Sequence, residues 1–257
     1  MLTKRTLIRT AIKSFFIQAL WNFEKMQNIG MMFVLMHPLS KIYRGDAQGY
    51  HNALKRHLDF FNIHPYMANI VIGVVLGLEE RVSLNNEDLE AEINTVKSTM
   101  AGPLSAIGDS FFWGLWRPVV TLLVCLAYFL FFNVNDYSLA GTLFIVFGFL
   151  VIYNIPHIIL RFKALRVAYR QGTSVIVYIK KWQDFKIEAK LKLLGFLLLL
   201  GIFVIFLIRA RLTLLEFGKL LAIFLVVEIL KHKKASTVKI IISVLCVFIL
   251  LAYLKVV

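Results

Sequence analysis

Residues 100–120 read MAGPLSAIGDSFFWGLWRPVV, and this stretch decides the fold. Gly102, Pro103 and Gly108 punctuate its apolar left half, whereas the right half continues into a long hydrophobic helix pattern. An interrupted backbone leaves N–H and C=O groups unpaired, which at membrane depth is tolerated only under a cover of protein or beside a water-filled cavity. The pattern therefore predicts a structural hairpin between interrupted, re-entrant helices. A surface loop before a membrane span is the alternative.

The composition of the whole chain agrees with a membrane setting. Of its 257 residues, 59% are hydrophobic, above the roughly 45–50% of soluble domains. The basic excess, 29 Lys and Arg against 15 Asp and Glu, fits nucleic acid or cytoplasmic membrane loops. The long apolar runs decide for the membrane, so we expect an all-α integral membrane protein and no nucleic-acid partner. Cys125 and Cys246 lie in apolar runs, and we expect neither a metal nor another cofactor.

Residues 11–36 are predicted to form one helix. Gln18, Asn22 and Lys25 have the spacing that puts three side chains on the same helical face. Such a polar stripe must face a protein interior or a cavity, unless the helix lies in the interface plane with the stripe in water. Pro38 is expected to end this helix, because the residue before a proline disfavours the helical conformation.

The next segments are too short or too polar to cross the bilayer. Residues 62–65 form a break, and the apolar run 67–78 falls short of the roughly 20 residues that a spanning helix needs. We expect this run to be re-entrant or buried, with Gly73 and Gly77 allowing close helix packing. The acidic residues of 79–92 are typical of a solvated helix and loop.

Two membrane spans are predicted next, and the charge pattern orients them. They cover 113–135 and 137–160 and are joined by a tight turn at 133–136. Residues 161–192 are strongly basic and belong on the cytoplasmic side, with the amphipathic pattern of Tyr178, Trp182 and Phe185 favouring helices at the membrane surface. The charged N-terminus shows no cleavable signal pattern and is also expected in the cytoplasm. Further apolar runs occupy 193–208, 212–230 and 240–254.

The quoted stretch also carries a family resemblance. Its AGPL, GD, FFW and RP elements are similar to the signature of the IID membrane subunit of mannose/fructose/sorbose-family sugar phosphotransferase systems. Three further stretches resemble that family in the same order: WNFEKMQNIG at 21–30, RHLDFFNIHPYMANIVIGVVLGLEE at 56–80 and FKALRVAYRQG at 162–172. Ser110 stands where the family has Pro. Residues 1–190 thus form a IID-like core, whereas 191–257 form a divergent hydrophobic transmembrane part.

The resemblance implies both function and partners. A IID subunit forms, with a IIC membrane subunit, the pathway for a mannose-type hexose or related sugar in phosphoenolpyruvate-dependent uptake and phosphorylation. Cytoplasmic IIA and IIB subunits carry the phosphate, IIC–IID pairs assemble into higher oligomers amid membrane lipid, and the movement is elevator-like. The location it implies is the bacterial cytoplasmic (inner) membrane, which the chain crosses several times.

A sugar pathway needs hydrogen-bonding groups and an aromatic face, because sugar hydroxyls lose water on entry. The candidates that offer this set are Trp21, Asn22, Glu24, Gln27, Glu79 and Asp109. A carboxylate at membrane depth costs roughly 2.5 kcal/mol or more, so Asp109 needs a partner or a role. It could cap the helix that follows it, and such a cap can coexist with lining the site.

Two other classes of function remain open. The chain carries no Walker glycine loop, H-E-x-x-H or G-x-S-x-G motif, so no catalytic residue is expected within this component of a sugar phosphotransferase complex. A membrane-embedded enzyme using Glu24, Asp109 and a histidine as acid and base is one alternative. A non-transporting interaction or assembly protein, serving as a docking surface, is the other.

Overall fold

The structure is a computed structural model of the chain. It describes residues 1–85, 89–132, 138–175 and 187–210, together with 225, 227–232, 236, 241–243 and 245. The chain divides into two compact units, Met1–Leu200 and Gly201–Val257. The candidate site lies in the first unit.

Helices make up almost all of the regular structure in the described residues, and the predicted all-α fold class is confirmed. The only β-type pairings in these ranges are two isolated bridges, Asn22 with Met26 and Met26 with Phe61. The helices, in chain order, are α1 (Lys4–Lys13), α2 (Asn28–Ile42), α3 (Ala47–Arg56), α4 (Ala68–Asn85), α5 (Glu90–Gly108), a π-helical segment (Asp109–Trp116), α6 (Arg117–Phe131), α7 (Leu139–Gln171) and α8 (Ile187–Ala210).

Helix α4 lies at the centre of the core of this first unit. The run from Ala68 to Leu76 is buried, as the apolar sequence predicts, and α4 packs against α2, α5 and α7. Gly73 makes the closest approach: a Cβ built there would lie 2.6 Å from the Leu165 carbonyl oxygen and 2.7 Å from Ala168 Cβ. The spacing of Gly73 and Gly77 therefore brings the backbones of α4 and α7 together.

Three helical stretches are long and apolar enough to cross a membrane. Within the described ranges they are Glu90–Phe131, Leu139–Ser174 and Ile187–Ile208. They contain residues 113–131 and 139–160 of the two predicted spans and the apolar run 193–208. The predicted turn at 133–136, the surface helices around Trp182 and most of the two last apolar runs lie outside the described residues.

The prediction of a single helix over 11–36 is wrong. Helix α1 ends at Lys13, and α2 begins only at Asn28. Between them Leu20 and Met26 adopt left-handed backbone conformations with φ of 62° and 58°, which a continuous right-handed helix cannot contain. The Asn22 side chain accepts a hydrogen bond from the Lys25 N–H at 2.8 Å, a local turn that competes with helix formation. The polar side chains therefore do not form a helical stripe.

Pro38 does not end its helix. It lies inside α2, which continues to Ile42. A proline keeps helical φ and removes one backbone donor, and Pro38 is buried within α2.

The hairpin predicted at Gly102, Pro103 and Gly108 is also absent. Helix α5 runs through all three residues and passes without a break into the π-helical segment and α6. A Cβ at Gly102 would meet no atom within 4 Å, so no turn or close contact requires glycine there. Gly108 serves close packing instead, since a Cβ there would lie 2.6 Å from Nδ1 of His64. The helix changes its winding at Asp109, just after this contact.

Candidate functional site

Two of the motif stretches, 21–30 and 56–80, are joined by hydrogen bonds between their backbones. The Gln27 N–H donates to the Phe61 carbonyl at 2.8 Å, and the Phe61 N–H donates to the Lys25 carbonyl at 3.3 Å. The Gln27 side chain extends this pairing, because its amide donates to the Ile63 carbonyl at 2.8 Å and accepts from the Ile63 N–H at 3.1 Å. The loop between α1 and α2 thus fixes the backbone immediately before His64.

His64 and Asp109 form the centre of the candidate site. The His64 N–H donates to Ser105 Oγ at 3.0 Å, which ties it to α5. Its Nδ1 accepts from the Tyr66 N–H at 3.3 Å, so the neutral ring carries its proton on Nε2. That nitrogen is buried, makes no hydrogen bond in the described structure, and lies 4.0 Å from Asp109 Oδ1. This distance is too long for a direct hydrogen bond, and the His64 side chain has no exposed surface.

The protonation of His64 follows from its surroundings. Burial lowers the pKa of His64 to about 4, and the opposing charge of Asp109 only partly compensates. The imidazole is therefore neutral at physiological pH and offers one N–H donor beside one carboxylate acceptor.

Aromatic rings surround the His64 side chain. Trp113 lies 4.5 Å away between ring centroids, Tyr66 lies 4.9 Å away edge-on, and Phe112 is stacked at 5.8 Å. Two residues beside His64 reach the surface of the chain: the Asp109 side chain is 54% exposed and Trp113 is 39% exposed. The surface of this cluster therefore presents a carboxylate beside an indole face, with the imidazole buried beneath them.

Behind these rings, α7 closes the cluster. Tyr66 stacks on His157 with 3.9 Å between centroids. The guanidinium of Arg161 lies over the rings of Phe15 and Tyr66. It also donates to the carbonyl and hydroxyl oxygens of Ser14 at 2.9 and 3.0 Å. This network joins α1 to α7 and holds Tyr66 in place beside His64.

The predicted site residues separate into different environments. Asp109 lies at the open edge beside His64, but it does not cap a helix, since the π-helical segment has no side-chain cap bond. Gln27 is 2% exposed and fully engaged with Ile63. Asn22 is likewise engaged, donating to Asn28 Oδ1 at 2.9 Å. Trp21 and Glu24 are exposed on the loop between α1 and α2.

Glu79 belongs to a separate buried cluster, which corrects the prediction that residues 79–92 are all solvated. Its carboxylate lies 2.9 Å from Arg56 Nε and 2.9 Å from His57 Nε2, and it accepts from the Tyr43 hydroxyl at 2.6 Å. Glu79 stands eleven residues into α4, about 16 Å along the helix from Ala68. It is therefore remote from the end of α4 next to His64.

Burial and pairing set the charge states of this cluster. Burial raises the pKa of Glu79, but the hydrogen bonds from His57 and Tyr43 and the charge of Arg56 outweigh it and hold the pKa below its ordinary value. Burial lowers the pKa of His57. The cluster therefore contains an ionised carboxylate, a guanidinium and a neutral imidazole.

His64, Tyr66 and Trp113 are the site residues that sequence reasoning missed. Each lies inside a quoted motif stretch, so the motifs themselves were the available signal. The chemistry that singled out Asp109 did not extend to His64, because only the folded chain shows that the two side chains meet.

These features define an all-helical integral membrane protein with a half-open polar and aromatic site. The chain belongs to the EIID-AGA family, the IID component of the mannose/fructose/sorbose family of PTS systems, whose family model matches residues 1–257. The resemblance seen in the sequence is thereby confirmed.

Individual relatives agree with this family. The mannose-specific EIID component of Escherichia coli is 29% identical over 179 residues, which cover 68% of this chain and 60% of the relative. The fructose permease IID component of Bacillus subtilis is 35% identical over 123 residues, covering 48% and 44% of the two chains. These sequence matches thus span less than two thirds of the relatives' lengths.

Solved structures extend the likeness of the fold along nearly the whole chain. One, titled only as a membrane protein, has a TM-score of 0.71 at 25% identity, covering 98% of this chain and 97% of the other. A chain of the mannose transporter ManYZ, solved in complex with a microcin, has a TM-score of 0.59 at 24% identity with the same coverage. The fold is thus that of known membrane proteins.

Proposed function

We propose that this chain is the IID permease subunit of a sugar phosphotransferase system in the bacterial cytoplasmic membrane. With a IIC membrane subunit it forms the pathway for a mannose-type hexose or related sugar, and cytoplasmic IIA and IIB subunits supply the phosphate. Family membership supports the class of the assembly, and the names of the relatives support the class of sugar. The basic helix α1 supports a cytoplasmic N-terminus.

The observation that carries this proposal is the meeting of His64 with Asp109. Asp109 accepts hydrogen bonds from sugar hydroxyls and the exposed indole of Trp113 packs on a sugar face, while the buried His64 packs beneath both side chains. On the loop between α1 and α2, exposed Trp21 and Glu24 are available to the sugar, whereas Asn22 and Gln27 position the backbone. Glu79 stabilises the core at a distance.

The chain has two parts of different character. Residues 1–190 act as the IID-like core, and residues 191–257 form a divergent hydrophobic transmembrane part. An elevator-type movement, in which one module carries the sugar past a fixed one, is the mechanism that membership in this family favours.

The experiment is sugar uptake in cells that lack their own mannose-family system. The IIC, IIA and IIB subunits are co-expressed with this chain or without it, and uptake and phosphorylation of labelled hexoses are measured. We expect both activities to require this chain. Uptake that is equal without the chain would contradict the proposal.

A second candidate function, assembly or docking without transport, is favoured by the exposed apolar loop between α1 and α2. Leu20, Trp21 and Phe23 are 73%, 43% and 87% exposed, and exposed apolar patches of this kind often mark protein contacts. Co-purification with the IIC subunit distinguishes the two functions. A complex that forms through this chain but transports none of the hexoses would favour the docking function.

A further inference from the structure

A large apolar cavity lies beside the candidate site and is not needed for sugar binding. Its volume is about 500 Å³, and its walls come from the start of α4, from the helix around Ile107–Phe112, from α7 and from the start of α8. Most of the lining is aliphatic or aromatic, including Met67, Phe111, Ile159 and Val167. Such a surface offers almost no hydrogen bonds to a polyol, so the cavity does not suit a sugar.

The setting of the cavity indicates what fills it. Three of its four walls belong to the helices long and apolar enough to cross a membrane. The apolar molecules that surround such helices are lipid acyl chains. Along α7 the lining runs from Pro156 to Gln171, which corresponds to about 22 Å of helix at 1.5 Å per residue. The cavity is thus elongated, as an acyl chain requires.

The α7 wall of the cavity carries positive charge, midway between Pro156 and Gln171. Lys163 lines it, is exposed, and makes no ion pair or hydrogen bond in the described structure. Arg170 follows seven residues later on the same helical face and is also exposed. The acidic residue in the lining, Glu188, is already paired with Lys192 at 3.7 Å. Basic groups between transmembrane helices on the cytoplasmic side bind the headgroups of anionic lipids.

We propose that this cavity binds an anionic phospholipid, with one acyl chain between α5 and α7 and the headgroup phosphate on Lys163. Arg170 adds a second positive charge to the headgroup site. The acyl chain packs against Phe112, whose other face contacts His64 and Tyr66. The bound lipid therefore supports the aromatic wall of the candidate site, although the lipid site itself does not depend on the proposed sugar function.

The test is native mass spectrometry of the chain purified with its IIC partner in mild detergent. The complex is stripped of lipid and then given phosphatidylglycerol or phosphatidylcholine. We expect one lipid to be retained by the wild-type complex, with phosphatidylglycerol preferred about fivefold over phosphatidylcholine for one basic residue at the headgroup. Lys163→Gln should reduce this preference, with Arg170 retaining part of it, whereas Lys55→Gln, an exposed lysine on α3, should leave it unchanged.

Variants that fill the cavity test the acyl-chain position. Val167→Trp and Ile159→Trp place an indole in the cavity from residues that are 37% and 48% exposed, and both should lose the retained lipid. If one variant fails to assemble with the IIC subunit, lipid retention is measured in the other. Retention equal to wild type in an assembled variant, or an unchanged lipid preference in Lys163→Gln, would overturn the proposal. A wild-type complex that retains no lipid would also overturn it, and would indicate that the IIC subunit fills the cavity.

Discussion

Glu79 is a carboxylate with no exposed surface, and its partners come from two other parts of the chain. Tyr43 directly follows α2, Arg56 is the last residue of α3, and His57 follows directly after Arg56. Desolvation of a carboxylate and a guanidinium costs several kcal/mol per ion, which only good geometry and further hydrogen bonds offset. The cluster therefore makes the positions of α2, α3 and α4 depend on one another.

Removing the charge of Glu79 should destabilise the chain strongly. In Glu79→Gln the buried Arg56 keeps only the more distant Glu90 carboxylate, at 3.7 Å. We expect a loss of about 3–5 kcal/mol in the free energy of unfolding, the usual effect of breaking a buried ion pair. Thermal unfolding of the purified complex measures this. Glu92→Gln, at an exposed position on α5, is the control, and equal melting temperatures for the two variants would contradict the account.

The same cluster predicts acid sensitivity. The pKa of Glu79 lies below its ordinary 4.5 and that of His57 below its ordinary 6.5, so both groups bind fewer protons in the folded chain than in the unfolded one. Their contribution to stability is complete above about pH 6.5 and declines as the pH falls. We expect the melting temperature to drop from pH 7 to pH 4.5, mainly because the buried His57 takes up its proton at a lower pH in the folded chain than in the unfolded one. A melting temperature that rises on acidification would refute this.

At the scale of elements, local sequence predicts most helices but not where they break. The apolar run at 67–78 correctly predicts a buried segment, and α4 extends beyond it to Asn85 because the cluster around Glu79 compensates the buried charge. The break between α1 and α2 has only one local signal, the turn at Asn22, since the left-handed residues are Leu20 and Met26 and not glycines. Pairing with Phe61 and Ile63, more than thirty residues away, stabilises it.

Helix packing gives a sharper prediction at two glycines. Gly73→Ala should destabilise the complex by about 1–3 kcal/mol, as overpacking does, because its Cβ would push on Leu165 and Ala168. Gly102→Ala meets open space on α5 and should be neutral or stabilising by up to about 1 kcal/mol. Thermal unfolding of both variants checks the difference. Equal melting temperatures would show that α4 and α7 do not depend on this close contact.

At the scale of the whole molecule, hydropathy and motif stretches predict the class of protein, because long apolar helices and a family signature are properties of the sequence itself. The site is predicted only in part. Asp109 stands out by its charge at membrane depth, whereas His64 joins it only through the packing of Gly108 and Ser105 against the segment before α4. The sequence makes Glu79 and Gln27 candidates for sugar binding, but in the folded chain both side chains are bonded to other residues of the chain.

The rate of hexose uptake by an assembled Asp109→Asn complex tests the central claim most directly. Asn keeps the shape of the side chain but loses the charge that accepts hydrogen bonds from sugar hydroxyls most strongly, and we expect uptake to fall about tenfold, equivalent to about 1.4 kcal/mol. Asp59→Asn, at an exposed position, is the matched control and should transport normally. If Asp109→Asn co-purifies with the IIC subunit and takes up hexose at the wild-type rate, the sugar site does not lie beside His64.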